Sequence, residues 1–250
     1  MDTEYQFKRK EFKYYVPWER QEALRERFLM HMEYDPFCVN RKEHMYSVRS
    51  IYFDTPGLLF YYEKIDGLKV RKKLRVRSYD KPGEHDAAFL EIKRKIKNII
   101  MKERAGVPIG QAPNLLNGAR LTLLREKPSI PEKAALSKFV FLMKRLNLNP
   151  TVLITYEREA FVGVDDENLR VTFDYNVRSF PNPGFDDLFR EEDLRTISPP
   201  WFILEIKFYG VMPLWTREII RDFGLRKQAI SKYCNGLDAW LPNEEVAGPY

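Results

Sequence analysis

The sequence has little of what several common chemistries require. Cysteine occurs twice, at Cys38 and Cys234, and histidine three times, at His31, His44 and His85. Two cysteines cannot make a disulfide framework, which points to a reducing compartment. The histidines lack metal-ligand spacing, and His31 fits the stripe of a candidate helix, so a zinc centre and a catalytic histidine are set aside. The 12 glycines form no glycine-rich phosphate loop, which argues against P-loop and kinase folds. No apolar run approaches the ~18–20 residues of a membrane span. The opening MDTEYQFKRKEF has no apolar signal segment, so a soluble, cytoplasmic chain is expected.

What the chain does have is alternating charge. From Lys69 to Tyr79 it reads KVRKKLRVRSY, with Lys69, Arg71, Lys73, Arg75 and Arg77 at every second position. In a strand, successive side chains point to opposite faces, so one face carries a row of cations and the other is apolar except for Lys72. Such a row repels itself and needs water or an anion in front of it. The whole chain is only moderately basic, with 42 Lys and Arg against 36 Asp and Glu, a formal charge of +6. That balance favours an acidic partner without choosing one. Hydrophobic residues make up 44% of 250, enough for a globular chain with a sizeable core.

Periodicity and breakers predict the elements. Strands are expected at 6–16, 47–54, 69–79, 87–96, 98–105, 151–163, 168–175 and 201–209. Helices are expected at about 17–32, 131–146, 213–223 and 228–240, with a short helical turn at 58–65. Asp66-Gly67 reads as a hairpin-type turn, Lys81-Pro82-Gly83 as a break, and 176–200 as a long loop. Strands outnumber helices, and most connections suit antiparallel neighbours. The expected organisation is a single domain over 1–250 with a helical insert at about 108–148.

The charged faces recur from strand to strand: Arg9, Glu11 and Lys13; Arg75 and Arg77; Glu91 and Lys93; Arg158; Arg170 and Asp174; Glu205 and Lys207. One such strand is an ordinary solvated sheet face. When every long strand does the same, a sheet curled into a barrel with its apolar side packed by helices would gather the charges in a wet interior. Arg forks match phosphate oxygens, and Lys adds point charge. Carboxylates among them (Glu11, Glu91, Glu205) make sense as ligands of a hard divalent ion bridging phosphates. Together they form a phosphoryl-transfer toolkit. Asp54 reads as a turn cap, and Tyr52, Tyr61 and Tyr62 as core or rim.

Ordered motifs then carry a resemblance. RKEFKYYV, SIYFDTPG, YYEKIDG, LRVRSY, FLEIKRK, TYEREAF, LRVTFD, FILEIKF and AISKYC stand in the order of the triphosphate tunnel family. Within it the chain is similar to the VTC-type polyphosphate polymerase domain. The resemblance implies an α+β fold built on an eight-stranded antiparallel barrel with helices outside. It implies phosphate contacts from Lys13, Arg75, Arg77, Lys93, Arg158, Arg170, Ser231 and Lys232, with Lys13 and Lys232 at the transferring phosphoryl group. Arg9 and Lys207 join them by strand phase. Glu205 matches the metal-binding position, for Mn2+ or Mg2+. The implied partners are ATP, triphosphate and polyphosphate, with no DNA expected and room for a separate membrane partner protein. Two departures stand out: Ala229 replaces a Lys found in some members, and Arg9 replaces a Glu of hydrolytic members. The expected activity is transfer of the terminal phosphoryl group of ATP to a growing polyphosphate chain. A tripolyphosphatase or nucleoside triphosphatase in the same tunnel is one alternative. A non-catalytic module binding polyphosphate or RNA is another.

Overall fold

The computed structural model describes residues 9–80, 87–96, 99–117 and 120–241. In chain order the elements are β1 (Lys10–Pro17), α1 (Gln21–Leu29), β2 (Met32–Tyr34), α2 (Pro36–Val39), β3 (Met45–Asp54), α3 (Leu59–Ile65), β4 (Val70–Tyr79), β5 (Ala87–Ile96) and β6 (Ile99–Pro108). After them come α4 (Asn114–Asn117), α5 (Ile130–Arg145), β7 (Asn149–Gly163), β8 (Arg170–Pro181), β9 (Arg195–Thr196), β10 (Trp201–Phe208), α6 (Leu214–Asp222) and α7 (Lys232–Asp238). The expected break at 81–83 and His85 lie outside the described residues.

Eight strands follow one another in the order β1-β10-β8-β7-β3-β4-β5-β6, with β2 added to β7 and β9 to β8. Every pairing is antiparallel. The expectation of a closed barrel is corrected here: among the described residues no ladder joins β1 to β6. The outer edge of β1 is taken by the segment before α7, where the Gln228 amide donates to the Lys13 carbonyl at 2.9 Å. The sheet nonetheless curls far enough for side chains to meet across the gap. Lys93 of β5 donates to Glu11 of β1 at 2.9 Å.

The apolar face of each strand points outward and is covered. Tyr14, Val16, Phe173 and Leu204 pack with Leu24, Phe28 and Ile219 of α1 and α6. On the other half, Phe53, Leu90 and Ile92 pack in a cluster that includes Phe139 and Met143 of α5. That helix starts at a capping box in which Ser129 and Glu132 satisfy each other's backbone amides.

Several elements differ from the expected ones for local reasons. The first helix ends at Leu29 because Met32–Tyr34 instead pair with Gly163–Phe161 of β7. Asp66-Gly67 joins α3 to β4, so no strand hairpin forms there. Strand β8 continues to Pro181, six residues into the expected loop. A register shift opposite Tyr156 marks a bulge, with Asn176 at φ 46°. Asn tolerates this left-handed backbone, and the extra residue reverses the in-out alternation beyond it.

Candidate phosphate-binding cavity

The concave face of the sheet encloses a cavity of about 510 Å³. All thirteen candidate residues line it: Arg9, Glu11, Lys13, Arg75, Arg77, Glu91, Lys93, Arg158, Arg170, Glu205, Lys207, Ser231 and Lys232. They arrive from β1 and the residue before it, β4, β5, β7, β8, β10 and the start of α7, because each strand keeps its polar phase inward. Of the five-cation row, Lys73, Arg75 and Arg77 reach the cavity; Lys69 and Arg71 are not part of its lining.

Eleven Lys or Arg face three Glu across the cavity. That surplus of eight exceeds the +6 of the whole chain. Six minus eight leaves the rest of the molecule at a net −2, so the basic character of the protein resides in this cavity.

The carboxylates hold cations in place. Glu91, almost wholly buried, accepts from Arg75 Nε at 2.7 Å and faces Lys102 at 2.6 Å and Arg104 at 3.5 Å. Asp174, fully buried beneath the floor, accepts both Arg158 Nε (2.6 Å) and Nη2 (2.8 Å), and also receives Lys232. A bidentate carboxylate fixes the guanidinium plane and leaves its third edge for another anion. Lys13 sits between Glu11 and Glu205, 3.1 Å from each. Lys207 also contacts Glu205. Arg170, half exposed, pairs with Asp35.

Arg77 differs from these. It is buried, and its bonds go to neutral hydroxyls, Ser50 at 3.0 Å and Tyr156 at 3.2 Å. Among the described residues no carboxylate bonds it directly, which makes it a strong anchor for an incoming anion.

Electrostatics follow this crowding. Burial alone would raise the Glu11 carboxyl, but Lys13, Lys93 and Lys207 outweigh it and hold it down to about 2. Glu205 is likewise well below the usual range: Lys207 and Lys13 overcome its burial. Burial pulls Lys73 down to about 8, helped by Lys13 and Lys93. Burial does the same to Lys207, again to about 8, against the attraction of Glu205. At Tyr52 burial is overcome by Arg75, Arg77 and Lys73, and the phenol falls to about 7.

Helix α7 closes the site from the concave side. Ser231 caps it through the Cys234 amide (3.2 Å) and accepts from Lys73 Nζ at 2.7 Å. Tyr233 stacks on Tyr52 with ring centroids 5.2 Å apart, and its hydroxyl donates to Asp54. Asp54 also accepts the amides of Thr55, Phe60 and Tyr61, so it does cap, as expected, and it ties α7 to α3. Gly236 lets α7 approach β7: a Cβ there would collide with Ile154 Cδ1.

Residues beyond the thirteen also face the cavity, among them Lys73, Lys102, Tyr52, Tyr156 and Tyr233. Lys73 shares the phase of Arg75 and Arg77, a signal present in the sequence. Tyr52 is buried in the core, as expected, and its hydroxyl also accepts from Arg75 Nη1 at 2.9 Å. Nothing in its local sequence marks it, because the contact is across strands. His31 stacks on Trp215 and His44 on Tyr34, away from the cavity lining. Cys38 and Cys234 are both buried and free. Among the described residues no helix is long and apolar enough to cross a membrane.

No curated protein matches the chain. Among solved structures it is similar to the PH1819 protein from Pyrococcus horikoshii OT3, with TM-score 0.49 and 15% identity over 92% of this chain and 99% of that one. It is also similar to a putative adenylyl cyclase, HpAC1 from Hippeastrum, described as having a dominant triphosphatase activity. There the TM-score is 0.48 and the identity 15%, over 94% of this chain and 98% of that one. The VTC domain model matches residues 8–241, nearly the whole length, and the chain therefore belongs to the VTC domain family.

Proposed function

We propose that the protein is a metal-dependent polyphosphate polymerase, passing the terminal phosphoryl group of ATP to a growing inorganic polyphosphate chain. The observation that carries this reading is the cavity itself, with eleven cations against three carboxylates and Lys13 held between Glu11 and Glu205. Phosphoryl transfer asks the protein for positioning and charge neutralisation more than for covalent chemistry.

In this reading Arg75, Arg77, Lys93, Arg158 and Arg170 bind the triphosphate, with Arg9 and Lys207 extending the set. Glu91 and Asp174 keep Arg75 and Arg158 in fixed planes. Ser231 and Lys73 bind phosphate oxygens beside the start of α7. Lys13 and Lys232 neutralise the charge that builds on the transferring group and on the departing ADP.

Among the described residues no group of three His, Cys, Asp or Glu is placed to hold a metal by protein atoms alone. Glu11 and Glu205 share one lysine, however, and a pair of carboxylates completed by phosphate oxygens and waters suits Mg2+ or Mn2+. These residues fit such an ion bound jointly with substrate. When bound, it supplies further neutralisation of phosphate charge. Glu91 is less suited, since Arg75, Lys102 and Arg104 already surround it.

The test is incubation of the full chain with ATP and Mn2+, with products resolved by length. Long-chain polyphosphate is expected, and Glu205→Ala should reduce its formation at least a hundredfold. Release of orthophosphate without polymer would replace this reading with the hydrolytic one. Tight triphosphate binding with no turnover would replace it with the binding module.

A further inference from the structure

Away from the cavity lining, exposed apolar side chains concentrate around α3. Leu59, Tyr62 and Ile65 project from the helix, Leu68 and Val70 follow it, and Ile96 stands opposite Val70 on β5. Each is between 37% and 53% exposed. The helix that carries them is firmly seated from its other side. Phe60 is buried in the core, and Asp54 holds the amides of Phe60 and Tyr61.

Five cations lie at the same end of the sheet: Lys64 on α3, Lys72 on the same phase of β4 as Val70, and Lys69, Arg71 and Lys95 on the opposite phase, the one that carries Lys73 and Lys93. Arg71 and Lys95 are directly opposite each other on β4 and β5, an arrangement of like charges that costs stability. Among the described residues none of the five side chains makes an ion pair or hydrogen bond. The acids within the same stretch are Glu63, which accepts the Lys72 amide, and Asp66. Lys95 is correspondingly held below its ordinary value by burial, with Arg71, Lys227 and Lys64 adding to the effect.

We propose that this face docks on an anionic lipid surface, with the α3 side chains entering the headgroup boundary and the cations meeting the lipid charges. A rigid apolar strip rimmed by unpaired Lys and Arg is the composition that binds such surfaces. A second copy of the chain is a poor occupant, because a two-fold contact through this face would set the same five cations against themselves. A soluble phosphate chain would use the cations and leave the apolar side chains in water. Arg71 and Lys95 lie one in-phase step beyond Lys73 and Lys93, which line the cavity. Docking would therefore turn the β4–β5 end of the cavity toward the bilayer. The inference does not depend on which phosphate reaction the cavity performs.

The test is vesicle co-sedimentation of the full chain, saturated with triphosphate so that the cavity cannot capture headgroups. Phosphatidylcholine vesicles are compared with vesicles containing phosphatidylglycerol. At least tenfold stronger binding to the anionic vesicles is expected. Ile65→Glu with Leu68→Glu should reduce that binding tenfold or more, as should Lys64→Glu with Lys69→Glu, with triphosphate affinity unchanged in both. As a second readout, Tyr62→Trp should show a blue shift of its emission on anionic vesicles. Equal binding to both vesicle types, or no emission shift, would overturn the proposal. Loss with the lysine pair but not with the apolar pair would assign the cations to soluble polyanions and overturn it too. A lipid-free dimer broken by the Ile65/Leu68 variant would give the face to a second copy.

Discussion

Single residues decide how the cavity responds to pH. Lys73 and Lys207 are held near 8, below their ordinary 10.5, and Tyr52 near 7, below its ordinary 10. In all three cases the unfolded chain keeps its proton to higher pH than the folded one. Wherever the unfolded state binds more protons, stability rises with pH. The ligand-free protein should therefore gain melting temperature from about pH 7 to about pH 10. At roughly 2–4 °C per kcal/mol for a chain of this size, the gain should be measurable. Saturating triphosphate stabilises the charged lysines and should flatten the rise. A melting temperature that falls across this window in both states would contradict these assignments. The phase of the charged strand residues was legible from alternation, and those eleven candidates share one cavity with Ser231 and Lys232, which only the resemblance pointed to. The partners were not legible. That Glu91 holds Arg75, that Asp174 holds Arg158 and Lys232, and that Tyr52 meets Arg75 depend on which strand lies beside which, and no local pattern records it.

At the scale of elements, α7 is where the site is most exposed to a packing change. Its N-terminal residues Ser231 and Lys232 line the cavity, and one turn later Gly236 lies against Ile154 and Ser179 with no room for a side chain. Gly236→Val should push the helix off β7 and β8. Overpacking of this kind costs about 1–3 kcal/mol, and the displacement should weaken triphosphate binding more than it lowers stability. Calorimetric titration of the variant checks this; unchanged affinity would mean that α7 does not position the ligand. The helix itself could be read from the sequence, as could α5, although the Ser129–Glu132 box that starts it was not part of that reading. Strand β8 could be read only to Tyr175. Beyond it Asn176 inserts a bulge and the alternation changes phase, so a regular pattern looks like its own end. Strand β2 escaped notice because it is three residues long and its first, Met32, continues the stripe of α1.

For the whole molecule the uncertain point in the sequence was closure. Eight strands with inward charge suggested a sealed barrel, but sealing depends on backbone bonds between the first and last strands of the path. Here the segment before α7 occupies the edge of β1, and the Lys93–Glu11 contact spans the remaining gap. The result is a curled sheet whose concave side holds a charge surplus larger than that of the entire chain. Such a surplus is costly without an anion, so a phosphate ligand should organise the whole cavity at once. The most direct measurement is a crystal structure with tripolyphosphate and Mn2+. The account predicts phosphate density among Arg75, Arg77, Arg158 and Lys232, with Glu205 at the metal. Anion density confined to the outer surface, with the cavity cations still bound only to the protein's own side chains, would contradict it.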